Sequence, residues 1–182
     1  MDRPDTAFRS GVTMTATALA TAWLRGLGSR EGTARQRLFV FPHAGAGASA
    51  YRLAAYLPDS VEVCTVQMPG RESRFARPTL TSLDEAVATL APLIANHAAL
   101  PYAFFGHSMG SLLAFETARR LRALGTALPD HLFLSGMRVL SGSSRTTSPV
   151  AYIRAPGSAA YGSGSRMHDI VQLSVDQRQG SR

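Results

Sequence analysis

The chain has no lysine, a single cysteine and no long apolar run. Each shortage closes off a class of protein. A membrane-spanning helix needs roughly 18 or more consecutive apolar residues, so no membrane span is expected. The lone cysteine, Cys64, cannot form an internal disulfide, which excludes a disulfide-stapled scaffold. It lies inside the apolar run Val61–Val66 and reads as a buried thiol. The histidines lack ligand spacing such as H-E-x-x-H, so no metal is expected. Without lysine, all 19 basic residues are arginine, set against 12 acidic ones for a net charge of +7. Such a surplus can attract nucleic acid. Here the arginines are scattered and no recognition motif accompanies them, so no nucleic-acid partner is expected. Arg3 and Arg9 precede Val12–Leu24, but the threonines of that stretch make a poor apolar core for a signal peptide. A cytoplasmic location is therefore expected. Met14 is an alternative start, which would make residues 1–13 dispensable.

What is present suffices for one domain. Apolar residues make up 45% and charged residues 17% of 182 positions, the balance of a globular chain with a core. A short helix is expected near Ala18–Leu27. Leu38–Phe41 reads as a buried strand and is followed by the glycine-rich turn "HAGAG", His43–Gly47. Ser49–Leu57 reads as a short helix, Val61–Val66 as the next strand, and Gln67–Leu80 as a long loop containing Pro69, Gly70 and Pro78. Ser82 and Glu85 have capping-box spacing. Leu83, Ala86, Val87, Leu90 and Ile94 then predict a helix to about His97, with a kink at Pro92. Tyr102–Phe105 is a third strand, Gly110–Leu124 a helix stopped by Gly125, and His131–Ser135 a fourth strand. Strand and helix alternate, which argues for a parallel sheet covered by helices.

The character changes near Met137. Residues 138–182 hold nine Ser and five Gly with little periodicity, and Ala151–Ile153 and Ile170–Val175 are the only weak element candidates. This tail reads as poorly ordered.

The motif that carries chemistry is "GHSMG", Gly106–Gly110, set between a predicted strand and a predicted helix. A serine hydroxyl is a weak nucleophile and needs a base and an oxyanion site. A sharp strand-to-helix turn projects the hydroxyl into the open and aims backbone N–H groups at the developing oxyanion. It also brings together the residues two before and two after the serine, so both must be small, as Gly106 and Gly110 are. Ser108 is the candidate nucleophile and the Met109 N–H the first oxyanion donor. The second donor must come from a loop after an earlier strand, and the Ala44 N–H in "FPHAGAG" is placed for it. No Lys-Ser/Thr pair follows that loop, so a phosphate-binding P-loop is not expected.

The base is harder to find. In such an elbow the His107 side chain should project away from the serine hydroxyl. His97 reads as a helix-end residue and His131 as a strand-start residue. His168 is the remaining candidate base, although Asp169 beside it is poorly placed to orient it, because adjacent side chains diverge.

These segments together, "FPHAGAGASAYRLAAYLP", "VEVCTVQMPGRESR", "PYAFFGHSMGSLLAFETARRLRALG" and "HLFLSG", resemble the type II thioesterases of polyketide and nonribosomal peptide assembly lines. The resemblance covers about residues 23–136. It implies an α/β-hydrolase fold, and hydrolysis of acyl thioesters from the phosphopantetheine arm of an acyl or peptidyl carrier protein. It implies that Ser108 is the nucleophile of a Ser-His-Asp triad, with Met109 and Ala44 as backbone oxyanion donors. No cofactor of the enzyme's own is implied, and a monomer is expected. In "MPGRE", Met68–Glu72, the side chains of Arg71 and Glu72 are expected to fix the loop rather than to react.

The family pattern stops near Ser135. The two later strands and the segments carrying the triad Asp and His have no counterpart in this sequence. The expected architecture is therefore an α/β-hydrolase-like parallel sheet flanked by helices and incomplete at the C-terminus. Its expected organisation is an N-terminal extension over 1–22, a thioesterase part over 23–136 and a tail over 137–182. As a hypothesis, the shift to Ser, Gly and Arg is what a reading-frame change would yield; an intact second frame at the locus checks it. Losing a triad histidine costs on the order of 10⁶ in turnover in a serine hydrolase, so weak or no hydrolysis is expected. The alternatives are a non-catalytic thioesterase remnant or carrier-protein-binding module, and another α/β-hydrolase such as an esterase.

Overall fold

Phe39, Val40 and Phe41 are wholly buried, and the strand they end is central to the sheet. The computed structural model describes residues 16–136, together with the backbone of residues 150–154 and 170–172. The elements are α1 (Ala16–Trp23), β1 (Leu24–Arg25), β2 (Gln36–Phe41), β3 (Val61–Val66), α2 (Leu83–Ala95), β4 (Tyr102–His107), α3 (Met109–Ala123), β5 (His131–Ser135), β6 (Val150–Arg154) and β7 (Ile170–Gln172). The strands form one seven-stranded sheet in the order β1-β3-β2-β4-β5-β6-β7.

The inner four strands, β3, β2, β4 and β5, are parallel, as the strand–helix alternation predicts. The sheet as a whole is mixed. β1 runs antiparallel to β3, pairing Leu24 with Val66, and β6 runs antiparallel to β5. Antiparallel neighbours need no helical crossover, so strand–helix alternation in the sequence gives no sign of them. β6 and β7 fall on the two weak candidates of the tail.

Sequence and burial agree strand by strand. β3 is buried at every position from Glu62 to Val66, which is why it reads as a continuous run rather than an alternating one. β4 alternates: Tyr102, Phe104 and Gly106 are buried, and Ala103, Phe105 and His107 are half-buried on the opposite face. α2 contributes Leu90 and Ile94 to the core, and α3 contributes Leu113, Ala114 and Leu121. Phe39, Phe41 and Phe104 meet edge to face at 4.9–5.9 Å between ring centres. Such pairs add about 0.5–1.5 kcal/mol beyond the area they bury.

Among the described residues, one charged pair lies inside. Arg37 Nε donates to Glu62 Oε2 at 2.6 Å, and Glu62 also accepts the Arg30 N–H at 3.3 Å. The Arg37 guanidinium donates in addition to the His97 carbonyl. The Cys64 thiol sits 3.7 Å from Glu62, and burial, aided by that carboxylate, pushes it up to about 12.

Three local expectations are corrected. Ser49–Leu57 is not one helix but two 3-10 turns, Ala48–Ala50 and Leu53–Ala55. The Ala48 and Ser49 amides are bound by the side chains of Gln67 and Glu72, which anchors the start of this stretch to the neighbouring loop. Ser82 precedes α2 in an extended conformation, but its side chain makes no capping hydrogen bond. Asp84 and Glu85 still favour that end through the helix dipole. β4 runs on to His107 and α3 begins at Met109, so the turn between them is a single residue. α3 ends as expected: Gly125 has φ of 65°, and the Thr126 N–H reaches back to the Leu121 carbonyl at 3.2 Å. No helix among the described residues is long and apolar enough to cross a membrane.

Candidate active site

The chain leaves β2 to build β3 on one side of it, and leaves β4 to build β5 on the other side. β2 and β4 are neighbours, so the loops at their carboxyl ends diverge and open a crevice. Ligands of open α/β sheets bind at such a switch point. The β2 end carries Phe41–Gly47, and the β4 end carries Gly106–Gly110.

Ser108 is the whole connection between β4 and α3. Its φ of 54° and ψ of −120° lie where a side-chain-bearing residue is held only by its surroundings. Those surroundings are specific. A Cβ on Gly106 would overlap the Gly110 carbonyl, and a Cβ on Gly110 would overlap the Phe41 carbonyl. The Ser108 N–H donates to the Ser135 carbonyl at 2.8 Å, tying the turn to β5. Ser111 is wholly buried beneath it. Its hydroxyl lies 2.8 Å from both the Gly106 and the Ser135 carbonyls, and its oxygen accepts the Ser135 N–H at 3.2 Å. One side chain thus joins β4, α3 and β5 directly under the elbow.

Ser108 is exposed and lines an open cavity of about 410 Å³ with His43, Tyr51, Phe105 and His107. Met109 opens α3, so its N–H is among the first-turn amides that have no partner within the helix. Ala44 is exposed in the turn after β2, where Gly45 takes φ of 82°.

The histidines divide. His107 lines the cavity, and its Nδ1 is 3.1 Å from Ser135 Oγ. His43 stands edge-on to His107, 5.8 Å between ring centres, and its Nδ1 is 2.8 Å from the Tyr51 hydroxyl. Burial raises the Tyr51 hydroxyl above its ordinary range. Among the described residues no side chain hydrogen-bonds the Ser108 hydroxyl. His97 follows α2 with Nδ1 2.7 Å from the Leu93 carbonyl, and His131 opens β5. His168 lies outside the described residues. Sequence reasoning does not single out Tyr51 or Phe105 for the cavity. The period-two alternation of β4 is the signal for Phe105, since it shares the half-buried face with His107.

A second loop braces the first. Gln67 is wholly buried; its Oε1 accepts the Ala48 N–H at 2.9 Å and its Nε2 donates to the Arg71 carbonyl at 2.9 Å. The Glu72 carboxylate accepts from the Ser49 N–H at 3.1 Å and from the Ser49 hydroxyl at 2.5 Å. Arg74 donates to the Gln67 carbonyl at 3.0 Å and lies over the Trp23 ring, 4.5 Å from its centre.

A family model for the thioesterase domain matches residues 36–151, a span that contains both loops and the elbow. The chain belongs to the thioesterase family. It is 47% identical over 104 residues to the gramicidin S biosynthesis protein GrsT of Aneurinibacillus migulanus, covering 57% of this chain and 41% of that one. It is 42% identical over 115 residues to the thioesterase PikA5 of Streptomyces venezuelae, covering 58% and 38% respectively. Among solved structures it is similar to RedJ, a thioesterase from the prodiginine biosynthetic pathway in Streptomyces coelicolor, with a TM-score of 0.56 and 41% identity over 61% of this chain and 45% of that one. The thioesterase-family chain spans about two-fifths of the length of the curated relatives it matches.

Proposed function

We propose that this chain is a serine thioesterase directed at acyl groups on phosphopantetheinyl carrier proteins, in an editing role in polyketide or nonribosomal peptide biosynthesis, with hydrolysis impaired because the triad Asp and His have no counterpart in its sequence. Residues 23–136 form its thioesterase part, flanked by an extension over 1–22 and a tail over 137–182. The observation that carries the reading is the strained Ser108, exposed on a one-residue turn at the switch point of the sheet. A relative named for gramicidin S biosynthesis, one named a thioesterase, and the likeness to RedJ, a thioesterase of a biosynthetic pathway, support the reading.

Ser108 Oγ attacks the thioester carbonyl carbon, and its proton passes to water. The carbonyl oxygen takes up the negative charge and is met by the Met109 and Ala44 N–H groups. Collapse breaks the C–S bond and releases the phosphopantetheine thiolate, leaving an acyl ester on Ser108. Water then cleaves that ester to the free acid. A thiol of pKa about 8.5 leaves as thiolate without a strong acid to protonate it, whereas an alkoxide does not. The reading therefore favours thioesters over oxygen esters where the supply of a base is weak. It calls for no cofactor of the enzyme's own, for a cytoplasmic location, and for an acyl or peptidyl carrier protein as partner to a monomer.

A fluorophosphonate probe tests it. Labelling that disappears in Ser108→Ala supports an activated serine, and soluble folded protein that takes no label sinks the enzyme reading. A second reading, a non-catalytic family member that binds a carrier protein, is favoured by one observation: among the described residues the Ser108 hydroxyl has no basic partner. Retained binding of an acylated carrier protein without turnover or labelling would select it.

A further inference from the structure

Among the described residues, two that bear side chains have a left-handed φ: Ser108, at 54°, and Glu72, at 40°. Backbone strain of this kind costs on the order of 1–3 kcal/mol and persists only where the surroundings hold it. The first is the elbow. The second lies in the loop after β3, and its exposed carboxylate reaches across to the loop after β2.

Three features converge on that contact. Glu72 accepts two hydrogen bonds from Ser49, one from the backbone and one from the hydroxyl. Gly47 has no Cβ, and the Glu72 carboxylate lies in the space a Cβ there would take. Gln67, wholly buried, makes a parallel bridge from the same loop to Ala48 N–H. The segment so held, Gly47–Ser49, is the downstream anchor of the turn that carries Ala44. A β2 that ends in Phe41, crowded against Gly110, is the upstream anchor.

We propose that Glu72 is a positioning residue: it clamps the glycine-rich turn so that the Ala44 N–H stays directed at the oxyanion formed at Ser108. This rests on the reading of Ser108 and Ala44 given above. Glu72 touches neither substrate nor reacting atoms. It acts by holding the downstream end of a turn that its own backbone closes with one hydrogen bond, from the Ala46 N–H to the His43 carbonyl at 3.1 Å. Preorganised donors matter because they need no reorganisation as charge develops.

The test uses the full chain and reads two quantities. One is hydrogen exchange of the peptide spanning 43–50. The other is the fluorophosphonate labelling rate at Ser108, resolved into the probe-binding constant and the limiting rate. Glu72→Ala is expected to speed exchange in 43–50 and to lower the limiting rate about 10-fold or more, since losing an oxyanion donor outright costs 10²–10³. The probe-binding constant should hardly move. Glu72→Gln keeps an acceptor for Ser49 and should restore most of the rate. Ser49→Ala added to Glu72→Ala should cost little more than Glu72→Ala alone. Exchange that is unchanged in Glu72→Ala overturns the clamp, and so does faster exchange with an unchanged limiting rate. If the parent chain takes no label while exchange still rises in Glu72→Ala, the loop clamp stands and it is the hydrolase reading that falls.

Discussion

Gly110, in the first turn of α3, lies so close to the carbonyl of Phe41 at the end of β2 that a single added methyl group would occupy the same space as the oxygen. This contact joins the two loops of the crevice. It brings the N-terminus of the helix after Ser108 against the strand that leads into the Ala44 turn. Backbone cannot move aside as a flexible side chain can. We therefore expect Gly110→Ala to destabilise by about 2–3 kcal/mol, the upper range for overpacking, and to abolish labelling at Ser108. Gly125→Ala is the control. It also has a left-handed φ, but nothing lies within 4 Å of its missing Cβ. It should cost about 1 kcal/mol, the conformational penalty alone, and leave labelling intact. Thermal melts and probe labelling of both variants check this.

Ser111 should matter for stability more than its size suggests. Replacing it by alanine removes the side-chain acceptor of the Ser135 N–H and the one hydroxyl donor shared by the Gly106 and Ser135 carbonyls, of which the Ser135 carbonyl keeps the Ser108 N–H. Unsatisfied buried groups cost about 1–3 kcal/mol. A lower urea midpoint with an unchanged slope is the expected result, and a midpoint equal to that of the parent chain would contradict the arrangement.

The Arg37–Glu62 pair offers a double-mutant cycle. Glu62→Ala leaves a guanidinium inside the protein without its carboxylate, a loss of about 3–5 kcal/mol. Removing both charges, as Arg37→Met with Glu62→Ala, should cost at least about 1 kcal/mol less than the Arg37→Met and Glu62→Ala losses added together. Strict additivity in urea titrations would show that the pair is not coupled.

Alkali should unfold the protein early. Burial raises the Cys64 thiol to about 12, and also raises the Tyr102 hydroxyl, where Asp130 adds to the effect, and the Tyr51 hydroxyl. Each group keeps its proton in the fold at pH values where the unfolded chain has lost it. Stability is therefore complete below the unfolded pKa values, about 8.5 for cysteine and 10 for tyrosine, and falls as pH rises above them. Urea midpoints taken from pH 8 to pH 11 should decline throughout the upper part of that range. The same burial predicts that Cys64 does not react with a thiol reagent at pH 8 in the folded protein and reacts fully in urea.

Much of the site was legible because it rests on local rules. A glycine pair around a serine, between an apolar run and a helical period, has one compact solution, and the structure contains it at Gly106–Gly110. The capping box at Ser82 was legible in the same way yet is not formed, because a side chain with the right spacing is still free to turn elsewhere. The stretch after Ser49 was misread as a helix for the opposite reason. Its amides are held by Gln67 and Glu72, residues about twenty positions away, and no local pattern in 49–57 reports them.

Sequence alone determined the core strands, the elbow and the family, since these follow from periodicity, from glycine's missing Cβ and from motif spacing, all of them short-range. Tertiary structure decided the antiparallel edges, the convergence of His43, Tyr51, Phe105 and His107 on Ser108, and the bond from Glu72 to Ser49. Those depend on which strand ends become neighbours and which loops then meet, and that is set by packing the whole sheet at once.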